Sequence, residues 1–315
     1  MHPCTDAAGS RPAQPTHAHW APTRLANMSG VDLDAALAAA VDAARAAGAL
    51  IAAAWGDRTK ATVEKGSHVD LVTETDKKCE EVIRARLLAA FPAHRFIGEE
   101  EAAEAGGAVT LTDEPTWMVD PLDGTTNFVH GYPFSCVCVA LAVAQDPVVG
   151  VVYNPILEEL YTAKKGGGAF CNGKPVRCSD TKELRLALAG TEIGTTRDAE
   201  TVAAIFDRVQ QLTAASRSLR ACGSCAMNIC GVACGRLDVF FEIGFGGCWD
   251  VAAGAVVLRE AGGQLLDPCG GAWHVNSRRV LAANAHVGPA AAAVLAGCKR
   301  SAREPAAPGE AGGSV

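Results

Sequence analysis

Aromatic side chains make up only 5% of this chain, and no cluster of lysine and arginine stands out along its 315 residues. The missing basic cluster removes the electrostatic footprint of a nucleic-acid binder. No stretch approaches the ~18 apolar residues of a bilayer-spanning helix, and residues 1–30 lack the apolar centre of a secretory signal. Neither a membrane partner nor export is therefore expected. A Ser-His-Asp order and a reactive-cysteine motif are also missing, so nothing points to a covalent nucleophile.

What is present is an ordinary globular composition, with 49% hydrophobic and 20% charged residues. Alanine and glycine are plentiful, which favours close helix packing and tight turns. Lysine and arginine total 28 against 35 aspartate and glutamate, a net charge of −7. An acidic protein that binds an anionic phosphate needs a local positive source, and a bound metal is the obvious one. Thirteen cysteines are an odd number in a large chain. This reads as reduced thiols in a cytoplasmic setting, with a plastid location also compatible, rather than as a disulfide framework.

Residues 1–30, rich in Pro, His and Ala, and 299–315, rich in Ala, Gly and Pro, lack periodicity and are expected to be disordered. Between them the chain divides near residue 182. In 31–181, a long helix from Val31 to Gly56 is followed by a loop at 65–76. A second helix (77–91) is stopped by Pro92, and short strands follow at 94–100 and 116–120. Alternating apolar runs between 134 and 179, separated by Asn-Pro, Gly-Gly and Asn-Gly, predict antiparallel hairpins. In 182–298, strands and helices alternate in the α/β manner.

Acidic residues sit at the ends of these elements. Asp76 opens a helix, Glu99-Glu100-Glu101 follow a strand, Asp120 and Asp123 end another, Glu242 ends a third, and Asp250 opens a helix. Carboxylates and backbone carbonyls are the ligands of hard cations such as Mg²⁺. In "DPLDGTT" (120–126), Pro121 biases Asp120 to an extended conformation. A turn at Leu122 returns Asp123 beside Asp120 and frees the Leu122 carbonyl. Gly124 and Thr125 can open a helix whose N–H groups face a phosphate. Two carboxylates this close repel unless a cation lies between them. A surface turn with Asp123 as helix cap would use the same residue types. "CGSC" at 222–225, with Cys230 and Cys234 beyond it, admits a zinc or redox reading. The apolar helical surroundings favour small buried hydrophobes instead.

The stretch "DPLDGTTNFVHGYPF" resembles the metal-binding core of the inositol monophosphatases, within the lithium-sensitive, Mg²⁺-dependent phosphatase superfamily. "DLVTETD" (70–76), "FIGEE" (96–100), "GSCAMNICGVACGRLDVFFE" (223–242) and "WDVAAGAVVLREAGG" (249–263) fall in that family's order and spacing. The resemblance covers roughly residues 32–296. It implies an α/β (α+β) fold, a five-layered α-β-α-β-α sandwich, as a homodimer, and inhibition by Li⁺. It also implies two to three Mg²⁺ ions: Glu99, Asp120 and the Leu122 carbonyl for the first, Asp120, Asp123 and Asp250 for the second, and a weaker third near Glu99. Asp76 and Thr125, with Glu99, match the groups that prepare the attacking water. Lys65 matches a loop lysine near the phosphate. Leu122, Asp123, Gly124 and Thr125, with Gly223, Ser224, Cys225, Glu242 and Asp250, match the substrate contacts.

The implied activity is Mg²⁺-dependent hydrolysis of a small polyol phosphate, with myo-inositol monophosphate first. "FEIGFGGCWD" (241–250) is one residue longer between Glu242 and Asp250 than in many animal-type members and is similar to plant-type ones. That leaves L-galactose 1-phosphate open as an alternative substrate. A bisphosphate nucleotidase, a non-catalytic cation-binding homologue and a zinc or thiol-redox protein are the other readings to be separated.

Overall fold

The computed structural model describes residues 30–57, 62–67, 70–106 and 109–307. The expected extension at 1–30 lies outside these residues except for Gly30, as does the end of the expected tail, 308–315.

Helix α1 (Leu33–Ala54) starts where Asp32 Oδ1 accepts the Asp34 and Ala35 N–H groups, each at 3.0 Å. This is the side-chain cap that satisfies otherwise orphaned first-turn donors. Ala36, Ala40, Ala43, Ala47 and Ile51 form a buried stripe at helical spacing. By length and composition alone α1 would qualify as a membrane span, contrary to the sequence reading. Its apolarity is explained by packing: the small side chains let it lie against helix α2 (Glu74–Ala90) and the large sheet.

The expected loop at 65–76 is instead mostly a hairpin of β1 (Thr62–Ser67) and β2 (Asp70–Thr73), pairing Val63 with Val72. Its first half, Thr62-Val63-Glu64, lies ahead of the Gly-Ser-His segment that suggested a loop.

Seven strands form the large sheet in chain order: β3 (Arg95–Gly98), β4 (Thr116–Asp123), β5 (Cys136–Val143), β6 (Asp146–Asn154), β7 (Glu159–Lys164), β8 (Gly168–Cys171) and β9 (Lys174–Pro175). Only β3 and β4 are parallel; β5 to β9 form the expected antiparallel hairpins, and β5 also pairs antiparallel with β4 across the α4 connection. Short helices α3 (Glu99–Glu104) and α4 (Thr125–His130) follow β3 and β4 directly. They continue from the two strand ends that carry the acids.

The C-terminal half supplies a five-stranded sheet from β10 (Leu188–Thr191), β11 (Ser218–Arg220), β12 (Val239–Ile243), β13 (Gln264–Leu266) and β14 (Arg279–Ala283), in the order β11-β10-β12-β14-β13. Helices α6 (Cys225–Ala233) and α7 (Cys248–Glu260) share a core with one face of each sheet, including Met118, Cys138, Ile229, Val256, Phe240 and Ala282. Helices α5 (Ala199–Ala215) and α8 (Gly288–Ala296) cover the far face of the smaller sheet, while α1 and α2 cover the far face of the larger. The layers therefore run α-β-α-β-α, as the resemblance implied.

Residues 299–307 depart from the expected disordered tail. Arg208 reaches Glu304 at 2.7 Å, both side chains 4% exposed, and also bonds the Lys299 carbonyl at 2.9 Å. Arg279 donates to the Pro305 carbonyl and forms a buried two-point pair with Asp267 at 2.7 and 3.1 Å. A buried guanidinium left unpaired is costly, so these contacts hold the segment down. All twelve cysteines among the described residues are free thiols.

Candidate active site

The sheet order brings the acidic strand ends together. β4 lies between β3 and β5, so Glu99 after β3 and Asp120 to Asp123 in β4 sit at one edge of the layer. The β4–β5 register breaks between Asp120 and Asp123, across Pro121 and Leu122. That irregularity turns both carboxylates the same way. Asp120 Oδ1 accepts the Leu122 N–H at 2.9 Å and closes the turn. α7 brings Asp250 from the other half of the chain, its Oδ2 accepting the Gly247 N–H at 2.9 Å.

One carboxylate oxygen from each of Asp120, Asp123 and Asp250 lies within 4.8 Å of the others, and all three residues are buried. Burial pushes the Asp120 carboxyl well above the aspartate range, with Glu99, Asp123 and Asp250 adding to the repulsion. Asp250 is raised to about 8, by burial first and then by Asp123 and Glu99. Asp123 is raised less, to about 6, because Ser224 and Ala226 donate to it and offset part of its burial. Such an oxygen-only set fits a hard divalent cation, which would relieve the repulsion. Glu99 is outside this close triplet, yet its charge acts on all three members.

The sign of the resulting pH dependence follows from linkage. An unfolded aspartate titrates near ~3.9. The folded carboxyls hold their protons to higher pH, so between those values the folded state binds more protons. The stability of the cation-free protein therefore falls as pH rises from about 4 towards about 8. A divalent cation displaces these protons, so its increment in melting temperature is expected to be larger near pH ~8 than near pH ~5. A thermal melt series with and without cation checks this; a larger increment at the lower pH would contradict the assignment.

Asp76 sits at the third position of α2. Its Oδ2 accepts the Thr73 N–H at 2.9 Å and the Thr73 hydroxyl, forming a capping box. Its Oδ1 accepts the Thr125 hydroxyl at 3.1 Å, and Thr125 also approaches the Leu122 carbonyl at 3.2 Å. The pair that the resemblance implied is thus in hydrogen-bond contact, beside the cluster. Lys65 falls in β1, but its side chain lies outside the described set.

The turn at 223–225 has its polar groups engaged within the protein. Ser224 Oγ donates to Asp123 Oδ2 at 2.6 Å, and Ala226 N–H does so at 2.8 Å. Ser224 also caps α6. Cys225 is buried against Glu242. Glu242 itself is buried, and its Oε2 has no hydrogen-bond partner among the described residues. Its carboxyl is raised by burial, then by Glu192, Asp250 and Asp123, which puts it in the same electrostatic field as the cluster. The 244–247 loop beside it is held by Arg278, whose Nε donates to the Phe245 carbonyl at 2.6 Å and Nη2 to the Gly244 carbonyl at 3.3 Å.

Three supporting residues are not apparent from the sequence. Glu192 Oε1 accepts Cys222 N–H, Gly223 N–H and Asn228 Nδ2 at 2.9, 2.8 and 2.5 Å. Asn127 Nδ2 holds the opposite side of that turn, donating to the Cys222 and Phe134 carbonyls at 2.7 Å. Glu80 accepts the Glu100 and Glu101 N–H groups at 2.9 and 2.8 Å and so caps α3, the helix that presents Glu99. A Cβ at Gly98 would run into the Glu80 carboxylate, so glycine there leaves room for this cap. Only Glu192 carries a sequence signal, as an acid ending a strand like Glu99 and Glu242. Glu80→Ala is expected to cost about 1 kcal/mol, the usual loss for a helix cap. It should also weaken cation affinity by roughly tenfold or more, as loss of an outer-shell orienting group does. A cation titration of activity reads the second effect; unchanged affinity would show that Glu99 does not depend on Glu80.

Buried carboxylates that could hold a metal ion, set in a five-layered α-β-α-β-α sandwich, are the arrangement that the resemblance implied. The chain belongs to the inositol monophosphatase family: residues 32–300 match the profile of the Inositol monophosphatase family. It is 56% identical over 248 residues to inositol monophosphatase 2 of Solanum lycopersicum, covering 79% of this chain and 93% of that one. It is 43% identical to inositol monophosphatase 1 of Homo sapiens, covering 78% and 88%. The solved structure of the extragenic suppressor protein suhB from Bartonella henselae matches with a TM-score of 0.75 at 33% identity, over 83% of this chain and 98% of its own.

Proposed function

We propose that this chain hydrolyses the phosphate monoester of a small polyol, with myo-inositol monophosphate as its substrate and Mg²⁺ as its cofactor. The observation that carries this reading is the buried Asp120–Asp123–Asp250 triplet lying beside the Asp76–Thr125 hydrogen bond. Glu99, Asp120, the Leu122 carbonyl, Asp123 and Asp250 would hold two to three ions. Bound Mg²⁺ supplies Lewis-acid stabilisation of the phosphoryl oxygens and makes water easier to deprotonate.

The chain's own groups do the positioning. Thr125 donates its hydroxyl proton to Asp76 or to the Leu122 carbonyl, which leaves Oγ1 free to accept a hydrogen bond from the attacking water. Gly124 and Thr125 open α4 and direct first-turn N–H groups to phosphate oxygens. The unpartnered Glu242 Oε2 suits a polyol hydroxyl, because a buried acceptor without a donor costs free energy that a ligand O–H would recover. Gly223, Ser224 and Cys225 are assigned to the same subsite, since Cys225 is buried against Glu242, and Lys65 is assigned to the phosphate side. Li⁺ is expected to inhibit by entering the Asp120–Asp123–Asp250 position. We also assign a homodimer, on the family resemblance, and a cytoplasmic setting, which suits the free thiols.

A phosphate-release panel with Mg²⁺ tests the reading. It compares inositol 1-phosphate, L-galactose 1-phosphate, fructose 1,6-bisphosphate and adenosine 3′,5′-bisphosphate. Release from inositol 1-phosphate at the highest kcat/KM supports the proposal. Preference for the bisphosphates, or no release from any substrate, overturns it. Preference for L-galactose 1-phosphate keeps the chemistry and moves the substrate.

A further inference from the structure

Behind the catalytic carboxylates lies a second group of ligand atoms. Cys136 and Cys138 are two apart on β5, so their side chains leave the same face of the sheet. The register sets Cys136 opposite Asp123 and Cys138 opposite Asp120. Cys136 Sγ lies 3.8 Å from Cys138 Sγ and 3.8 Å from Asp123 Oδ2. One ligand atom from each of the three residues falls within 4.8 Å of the others. A point equidistant from three atoms so spaced is about 2.2–2.5 Å from each, close to the ~2.3 Å of a zinc–sulfur bond and the ~2.0–2.2 Å of a zinc–oxygen bond. Ser224 Oγ, 3.8 Å from Cys136 Sγ, is placed to supply a further oxygen.

Buried cysteines are ordinarily small hydrophobes. Cys230, fully buried in the α6–α7 core, is an example. Cys136 and Cys138 differ because a carboxylate completes their triangle. We infer that Asp123, Cys136 and Cys138 form a second, inhibitory site for a thiophilic divalent cation such as Zn²⁺ or Cd²⁺. Hard Mg²⁺ prefers the all-oxygen triplet, whereas two sulfurs select a softer ion. On binding, each thiol gives up its proton to solvent and its sulfur donates an electron pair to the ion. No oxidation is involved. Asp123 belongs to both sites, so the softer ion draws that carboxylate away from the Mg²⁺ position and places like charge beside it. Inhibition, though not binding, rests on the function proposed above.

The test titrates the full chain with Cd²⁺ in Mg²⁺-free buffer and follows thiolate-to-cadmium charge-transfer absorbance. Wild type is compared with Cys136→Ala/Cys138→Ala. The wild type should take up one more equivalent of Cd²⁺ than the double variant, with the matching absorbance. Equal uptake and equal absorbance would overturn the site. In parallel, Cd²⁺ inhibition of phosphate release is measured at fixed Mg²⁺. The half-inhibitory concentration should rise at least about tenfold in the double variant, with Mg²⁺-only activity retained. Excess Mg²⁺ should protect the wild type. Equal inhibition of both proteins would overturn the inhibitory role. If neither protein releases phosphate, the functional reading fails while the absorbance titration still decides the site. Circular dichroism confirms folding; should the double variant fail to fold, Cys138→Ser carries the same comparison, since it removes one of the two sulfurs with little change in volume.

Discussion

Asp120→Asn is expected to lower phosphate release by at least about a thousandfold while leaving the fold intact, because under the function proposed above Asp120 would help to hold the divalent cations. The same change should raise the melting temperature of the cation-free protein. Asp120 is buried, and burial together with Glu99, Asp123 and Asp250 disfavours its charge. An amide of nearly the same shape keeps an oxygen for the Leu122 N–H bond and removes one member of the repelling set. Loss of activity with a gain in cation-free stability is the signature of a group kept for function against the interest of folding. A steady-state assay and a thermal melt, each with and without divalent cation, read both halves. Retained activity would remove Asp120 from the centre. A large fall in cation-free stability would show that its negative charge is structural, and the triplet would no longer require a cation.

How this site could be anticipated depends on the sequence distance over which each contact forms. Asp120, Pro121, Leu122 and Asp123 are neighbours, and the rules that shape them are local: a fixed proline φ, an extended preceding residue, a turn, a helix start. The capping box of Thr73 and Asp76 is equally local. Helices α1 and α2 carry caps or periodic apolar faces and fall close to their expected places. Contacts between distant residues have no such signal. Glu80 touches α3 from twenty positions away, Glu192 reaches Cys222 across thirty, and Asn127 reaches it across ninety-five. Glu80 and Asn127 are ordinary polar residues until the layers stack, and Glu192 shows only as an acid ending a strand. The segment 299–307 departs from expectation for a related reason. Its composition is that of a loose tail, and its partners come from far along the chain: the buried Arg208 and Arg279 side chains, with Thr201, Asp207 and Glu200 on α5. The resemblance to a family supplied the layer order that local rules could not.

Gly124→Ala should lower stability by roughly 3 kcal/mol and activity by about a hundredfold, although it adds a single methyl group. Gly124 has φ +86°, in the left-handed region, where an L side chain costs about 1–2 kcal/mol. The sequence alone placed Gly124 at the start of a helix whose N–H groups could face a phosphate. The structure gives a second reason that applies without any ligand. A Cβ at 124 would lie 2.9 Å from the Gly223 carbonyl oxygen and 2.9 Å from that of Phe134. Both are backbone atoms, and the turn bearing the first is pinned from two sides by Asn127 and Glu192. Relief therefore requires β4 to move away from the 222–224 turn, which carries the Ser224 hydroxyl bound to Asp123. Gly173→Ala separates the two causes, because Gly173 has φ +74° and a Cβ there would meet nothing within 4 Å. It should show the backbone cost alone, about 1 kcal/mol, and full activity. If Gly124→Ala is no less stable than Gly173→Ala in denaturant unfolding, the close approach to Gly223 is not what demands glycine there. If stability falls as expected but activity does not, the join between the two halves tolerates a shift that the catalytic geometry was argued not to survive.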